Sequence, residues 1–417
     1  MLDRLERAAF GYFQRTVNPA NGLVADTTRE GAPCSIAVVG FSLTAWPIAV
    51  ERGWMAREEA VDLVLAALTF FQDSPQDESP AATGYKGFYY HFLDMQTGRR
   101  AWQSELSMVD TAFLGAGILA AGAYFTASSP REVEIRRLAD TLYQRIDWPW
   151  ARHSKGAVTH GWKPGRGFLH YGWFGYNEAI ILYILGLGSA AHPLPLDSYH
   201  GWMSTYQWEC LYNRDFLFAG PLFIHQFAHA WVDFRGIRDQ FMREKKIDYF
   251  ENSRRAAWIQ RDYAIRNPGG YRGYGENCWG FTAGDGPGRK TLKIDGKPRR
   301  FFGYTARGVP FGPDDGTISP SAALGALPFA PEIALPAVRH MLAEYPDIAP
   351  DYVLPSGFNP TLRGATAAGW ISEGYFGLDQ GLVLLMIENY RSQMIWNLMR
   401  SCPCIQRGLR RADFRPT

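Results

Sequence analysis

Apolar residues recur every three or four positions along most of this chain and almost nowhere at every second position. That pattern predicts a helical protein with few strands. Twelve helices are expected, over residues 2–16, 35–51, 57–73, 104–126, 130–146, 177–187, 198–210, 223–240, 248–267, 319–327, 331–345 and 380–400. Start signals agree with several of these boundaries. Pro130 follows two serines, Pro331 opens its segment, and Glu58 and Glu59 sit where a first turn welcomes acids.

The connections alternate in length. After the second, fourth, eighth and tenth helices the chain turns back through RGWMA, ASS, MREKKI and PFA. The stretches 17–34, 74–103, 147–176, 268–318 and 346–379 are long, 211–222 is shorter, and 188–197 is a moderate exception at the other end. Consecutive helices joined by short turns run antiparallel, so alternate connections emerge at opposite ends and all the long ones share one face. The expected fold is therefore all-α, an (α/α)6 toroid of six helical hairpins in one domain over 1–400 with a tail at 401–417. Its functional cleft is expected on the long-loop face. An open α-solenoid would show a sequence period, and none is present.

Composition narrows the function. Forty-three basic against 41 acidic residues leave a net charge of +2 with no basic block, which argues against a nucleic-acid partner. Fifteen percent of the residues are aromatic, with 14 Trp and 21 Tyr, many in glycine-rich connections. Flat amphipathic rings there suit a sugar, which offers a C–H face and a rim of hydroxyls, although a large core also consumes tryptophan. The five cysteines are scattered apart from SCPC near the end, so neither a disulfide framework nor a zinc ribbon is indicated. No apolar run is long enough to span a bilayer, and the start reads as an amphipathic helix rather than a signal peptide.

Acids gather on the expected cleft face: Asp26 and Glu30, Glu105 and Asp110, Glu178, Asp233, Glu276, Asp314 and Asp315, Glu373 and Asp379. Carboxylates among aromatics suggest glycoside hydrolysis, which needs one protonated acid for the leaving oxygen and one carboxylate to activate water or attack carbon. Glu178, at the junction of the aromatic HYGWFGYN and the apolar AIILYIL, has the apolar setting that keeps a proton on a carboxyl. It also sits at a helix start after Asn177, where an acid complements the dipole. Asp110 falls inside its expected helix at neither end and is harder to explain structurally, whereas Glu105 follows Ser104 at a helix start. Asp379 in LDQG also reads as an N-cap, and Asp314 and Asp315 in PDDG as turn residues.

Candidate sugar contacts are Tyr90, His91, Trp173, Tyr176, Trp279, Asp315 and Tyr375 in the aromatic connections, together with His225, His229 and Asp233 in HQFAHAWVD. The last three stand at i, i+4 and i+8, on one face if that segment is a helix. Three ligands on one helix would spread over about 12 Å, too far for a single ion, so the stripe reads as sugar-binding rather than metal-binding. No metal or other cofactor is expected, and GYGENCWG lacks both the glycine order and the preceding strand of a dinucleotide site.

The ordered blocks SIAVVGFSLTAWPIAVERGW, GFYYHFLD, ELSMVDTAFLGAGIL, GYNEA, HQFAHAWVDFRG, DYFENSRRA, WGFTAGDGP, DGTISPSAALGALPFAPE and LDQGLVLLMIENYRS resemble the glucoamylase-like domain of glycoside hydrolase family 144 over roughly residues 5–397. The resemblance implies an (α/α)6 barrel acting on β-1,2-glucans, in bacteria, with inversion at the anomeric carbon. Most such enzymes cut internally to short sophoro-oligosaccharides, and some act from a chain end. The family's acidic positions fall on Glu105 and Asp110 in ELSMVDT, on Glu178 in GYNEA, and on Glu373 and Asp379 in EGYFGLDQG, making Glu178 the best general acid with Asp110 and Asp379 leading as its partner. A periplasmic or secreted location is implied, with a cytoplasmic one left open. The segment 286–310 is rich in Lys and Arg, including Lys290, Lys293, Arg299 and Arg300. It reads as a solvated face or as a contact for an anionic substituent. A transglycosylase, a hydrolase of another or a modified glucan, and a non-catalytic glucan-binding protein stay open as alternatives.

Overall fold

The computed structural model describes all residues, 1–417. Fourteen α-helices follow in order. The first seven are α1 (Leu2–Thr16), α2 (Ile36–Glu51), α3 (Arg57–Asp73), α4 (Met108–Tyr124), α5 (Pro130–Gln144), α6 (Ile180–Gly188) and α7 (Leu196–Met203). The rest are α8 (Gln240–Lys245), α9 (Tyr249–Arg266), α10 (Pro320–Gly325), α11 (Pro331–Glu344), α12 (Gly377–Arg391), α13 (Met394–Arg400) and α14 (Pro403–Arg411).

Burial sorts the helices into two layers. Every residue from Ile36 to Ala49 of α2, from Met108 to Ile118 of α4 and from Gln380 to Asn389 of α12 is buried, as is the whole of α6 and α10. A helix apolar on all sides must be enclosed by protein on all sides. By contrast α1, α3 and α5 bury one stripe each, such as Leu5, Ala9, Phe10 and Phe13 of α1, and so form an outer layer. Within the inner layer the neighbours run α6, α4, α2, α12, α10.

Two glycine contacts set the closest approaches. A Cβ on Gly117 of α4 would stand 2.0 Å from the Gly40 carbonyl of α2, so the two backbones touch where any side chain would force them apart. A Cβ on Gly408 of α14 would stand 2.0 Å from the Ile184 carbonyl of α6. Arg407 and Arg411 of α14 also donate to the last carbonyls of α6, those of Gly188 and Leu187, at 2.7 and 2.9 Å. Arg415–Pro416 then pairs with Ile237–Arg238, so the segment set apart in sequence as a tail is packed into the fold.

Four expected boundaries shift. Residues 105–107 are extended because Leu106–Ser107 pairs with Gly161–Trp162, and α4 starts only at Met108. The helix after GYNEA starts at Ile180, so Glu178 precedes it. Residues 208–211 leave the expected seventh helix and pair with Arg214–Leu217. The last expected helix is three residues longer at its start and breaks at Gln393, whose φ of 59° is left-handed.

The expected helix over 223–240 is not formed. Two short 3-10 turns, Leu222–His225 and Ala228–Ala230, take its place. Phe227 and Trp231 wedge between Phe41 of α2 and Phe113 of α4 at ring distances of 4.7 to 5.8 Å, and Asp233 folds back onto the Arg235 amide in an Asx turn that ends any helix. Aromatic packing and a local side-chain hydrogen bond outweigh the helical period there.

Candidate active site

The N-terminal ends of α4, α6, α10 and α12 and the long connections before them converge on a cavity of about 640 Å3. That size suits a small oligosaccharide segment or another compact ligand. Its wall carries five carboxylates, Asp26, Glu105, Asp110, Glu178 and Asp379, with His91, His160 and Trp173. Apolar floor residues include Phe113, Phe223 and Phe227.

Short strand pairings place the first group. Cys34–Ser35 pairs with Phe92–Leu93, and the His91 amide donates to the Glu105 carbonyl at 2.9 Å. This backbone register brings the His91 ring to Glu105, with Nδ1 to Oε1 at 3.1 Å, and its other edge to Asp110, with Nε2 to Oδ2 at 3.6 Å. Burial opposes charge on the imidazole, but Asp110, Glu105 and Asp26 outweigh it and raise its pKa to about 9. The resulting imidazolium holds Glu105 ionised, at about 2. Asp110 occupies the first turn of α4, where the Ser107 hydroxyl accepts from its amide and donates to its carboxylate. Its position inside the expected helix is thus corrected to an N-terminal one.

In the second group burial prevails over any nearby cation. Burial, then the Asp110 charge, push the Glu178 carboxyl up to about 7. The Asn177 side chain accepts from the Ala179 amide and from Trp202 Nε1, which fixes the turn that aims Glu178 inward ahead of α6. Burial likewise raises Asp379 to about 6, against hydrogen bonds from Ser321 (2.8 Å) and Ser356, and raises Asp26 to about 6 despite the His91 charge. One cavity therefore holds a carboxyl that keeps its proton near neutral pH and others that have lost theirs.

The sugar-like surfaces are the Trp173 ring, on which His160 stacks at 4.0 Å and 24°, and Tyr304 at the mouth. Tyr304 as a residue is 61% exposed, and desolvation of its hydroxyl, then the charges of Asp379, Asp26, Asp110 and Glu178, keep that hydroxyl protonated.

Of the residues singled out in the sequence, Asp26, Glu105, Asp110, Glu178, Asp379, His91 and Trp173 meet in this cavity. The others do not line it. Without a continuous helix the His225, His229 and Asp233 stripe diverges. His225 is buried against Tyr176 and Phe216 and bonds to the Ala219 carbonyl, His229 contacts Ser253 at 3.1 Å, and Asp233 pairs with Arg235 and Arg400. Tyr90 and Trp279 are fully buried, and Tyr176 stacks on Tyr249. Asp315 is buried in an ion pair with Arg307 at 2.8 Å. Glu373 is exposed, and with Tyr375 it lies on the outer side of the loop, tied to Arg29 and Thr28 through its backbone. Sequence reasoning missed His160, Ser321, Ser356 and Tyr304. Ser321 lies in the first turn of a helix and Tyr304 in the basic insertion, neither with any local sign of chemistry.

Residues 170–403 match the family model described as "Putative glucoamylase". The chain belongs to this glucoamylase-like family. A solved family structure from Bacteroides uniformis is 31% identical, with 100% of this chain and 97% of that one covered at a TM-score of 0.88. The endo-β-1,2-glucanase of Chitinophaga pinensis, solved with sophorotriose and glucose, is 27% identical over 99% of this chain and 97% of its own, at a TM-score of 0.85. A curated relative from Parabacteroides distasonis, an exo-β-1,2-glucooligosaccharide sophorohydrolase acting at the non-reducing end, is 27% identical across 99% of this chain. The chain spans 57% of that relative's length. GYNEA and LDQG, within the matched residues, each contribute an acid to the one cavity, and ELSMVDT, ahead of them, contributes two.

Proposed function

We propose that the protein is an inverting glycoside hydrolase that cuts β-1,2-glucan internally and releases sophoro-oligosaccharides. The observation that carries this reading is the contrast within one cavity between Glu178, protonated up to about pH 7, and Glu105, held ionised by the His91 ring at 3.1 Å. The names of the Chitinophaga and Parabacteroides relatives support the glucan linkage. The helix layers fit an (α/α)6 toroid in which the two 3-10 turns at 222–230 stand in the sixth inner position.

In this mechanism Glu178 gives its proton to the glycosidic oxygen, a step an acid performs best when its pKa lies near the working pH. Asp110 activates the water, directly or through a substrate hydroxyl. It faces the His91 imidazolium at 3.6 Å and accepts from Ser107, so its negative charge has compensation before substrate arrives. Asp379 and Asp26, close to their own proton exchange near pH 6, flank the ring and offset its developing positive charge when ionised. Trp173 supplies an apolar face for a glucosyl unit, and Tyr304 donates from above.

The basic insertion does not favour an anionic substrate. Arg299 bonds to the carbonyls of Gly269 and Gly270, Asp295 occupies Arg272 and Arg363, and none of the basic residues of this hairpin lines the cavity.

Incubation with linear β-1,2-glucan and a panel of β-1,3-, β-1,4- and β-1,6-glucans, read by chromatography and by NMR of the new reducing end, tests the proposal. Sophoro-oligosaccharides of several lengths bearing α-anomers are expected from β-1,2-glucan alone. Absence of cleavage of that glucan, or release of longer or cyclic products, would sink it.

A further inference from the structure

Single exposed apolar side chains are ordinary on a protein surface. Trp102 is different in three respects. It is 68% exposed, yet it sits on a tightly fixed turn. Both Trp102 and Gln103 take left-handed backbone angles, φ of 52° and 51°, which L side chains rarely adopt and which persist only where the surroundings impose them.

The turn is clamped by polar contacts. Arg100 donates to the carbonyls of Ser104 and Gln103, the latter at 2.7 Å, and Lys163 reaches the Gln103 carbonyl at 3.1 Å from the neighbouring strand. The Ala101 amide closes the loop onto the Phe92 carbonyl at 2.8 Å. Strain and clamps together hold a large aromatic ring out in water.

Its neighbours lead to the catalytic centre. Trp102 packs on Phe92 with ring centroids 4.9 Å apart, and Phe92 stacks on His91 at 4.0 Å and 12°. Phe92 and His91 both line the cavity, so the three rings form a stair from the acid cluster to the surface. A glucan running through the cavity has a further glucosyl unit to place where it leaves, and an ordered aromatic face stacks on sugar C–H groups with little loss of side-chain freedom.

We propose that Trp102 is the platform of an outer glucosyl-binding subsite that sets the preference of the enzyme for longer β-glucan chains. This inference rests on the glycoside hydrolase reading above. Stacking on this platform is the same in the bound ground state and the transition state, so it acts on affinity for chains long enough to reach it.

The test compares Trp102→Ala and Trp102→Phe with wild type on the β-glucan the wild type cleaves, as polymer and as purified oligosaccharides of increasing length. For Trp102→Ala, KM for polymer rises roughly tenfold, as for the loss of one anchoring aromatic, with kcat and turnover of the shortest substrates unchanged. Trp102→Phe recovers most of the loss, and Phe311→Ala, which removes an equally exposed ring packed on Phe218 rather than on the cavity wall, changes nothing. Long oligosaccharides should also shield tryptophan fluorescence from acrylamide in wild type and less in Trp102→Phe. Equal losses at all chain lengths, or no loss, would overturn the subsite while leaving the hydrolase reading intact. A wild-type protein that cleaves no β-glucan would overturn both.

Discussion

His91 and Glu105 meet twice, through a 2.9 Å backbone hydrogen bond and through a 3.1 Å contact between ring Nδ1 and carboxylate Oε1. The first contact fixes the register that makes the second possible. The pair, with Asp110 on the far edge of the ring, turns a histidine into a standing positive charge at the cavity wall.

That charge is measurable. The His91 ring should titrate near pH 9 by NMR, and a value near 6.5 would show that the acids do not hold it. His91→Asn should raise the pKa of Glu105 and Asp26 and move the acidic limb of kcat/KM upward by about one unit, with activity down roughly 10- to 100-fold.

Glu178 governs the opposite limb. An acid with a pKa of about 7 is protonated below that value, so kcat/KM should fall as pH rises above 7. Glu178→Gln keeps the shape and removes the proton donor, so kcat should fall by about 10²-fold or more. Near wild-type turnover in that variant would remove Glu178 from the mechanism.

The same carboxyl costs stability when ionised. Its folded pKa of about 7 lies above the ordinary 4.5, so its favourable contribution is complete below pH 4.5 and is lost as pH rises through 7. Glu178→Gln should therefore be more stable than wild type by about 1–3 kcal/mol at pH 8 and no different near pH 4. Denaturant unfolding at the two pH values checks this, and a constant difference would contradict it.

Asp315 is a scaffold residue. Arg307 Nε and an Arg307 terminal nitrogen meet its two oxygens at 2.8 and 2.9 Å with both side chains almost fully buried, and Arg307 also reaches the Gly303 carbonyl next to Tyr304. Burial opposes ionisation of Asp315, but the guanidinium prevails and its pKa is lowered. Arg307→Ala should cost about 3–5 kcal/mol because it strands a buried carboxylate, while Arg307→Met with Asp315→Leu should cost clearly less. Urea titration of the three proteins decides it.

Much of the architecture was legible along the chain. Apolar periodicity marked most of the helices, such as 2–16, 57–73 and 331–345, and loop lengths placed Glu105, Asp110, Glu178 and Asp379 on one face. These features are local, because a 3.6-residue period and a turn length are written in consecutive residues. Tertiary structure decided the rest. Phe41 and Phe113, distant in sequence, draw Phe227 and Trp231 into a wedge that abolishes the helix carrying the His225, His229 and Asp233 stripe. The roles of the acids were also set there. A glutamate is an acid near pH 7 at Glu178 and an ion down to pH 2 at Glu105 only because one is buried without a cation and the other touches His91. The apolar run after Glu178 already marked it as the better proton holder, but the His91 charge that keeps Glu105 ionised comes from a neighbour across the fold, which the residues on either side do not specify.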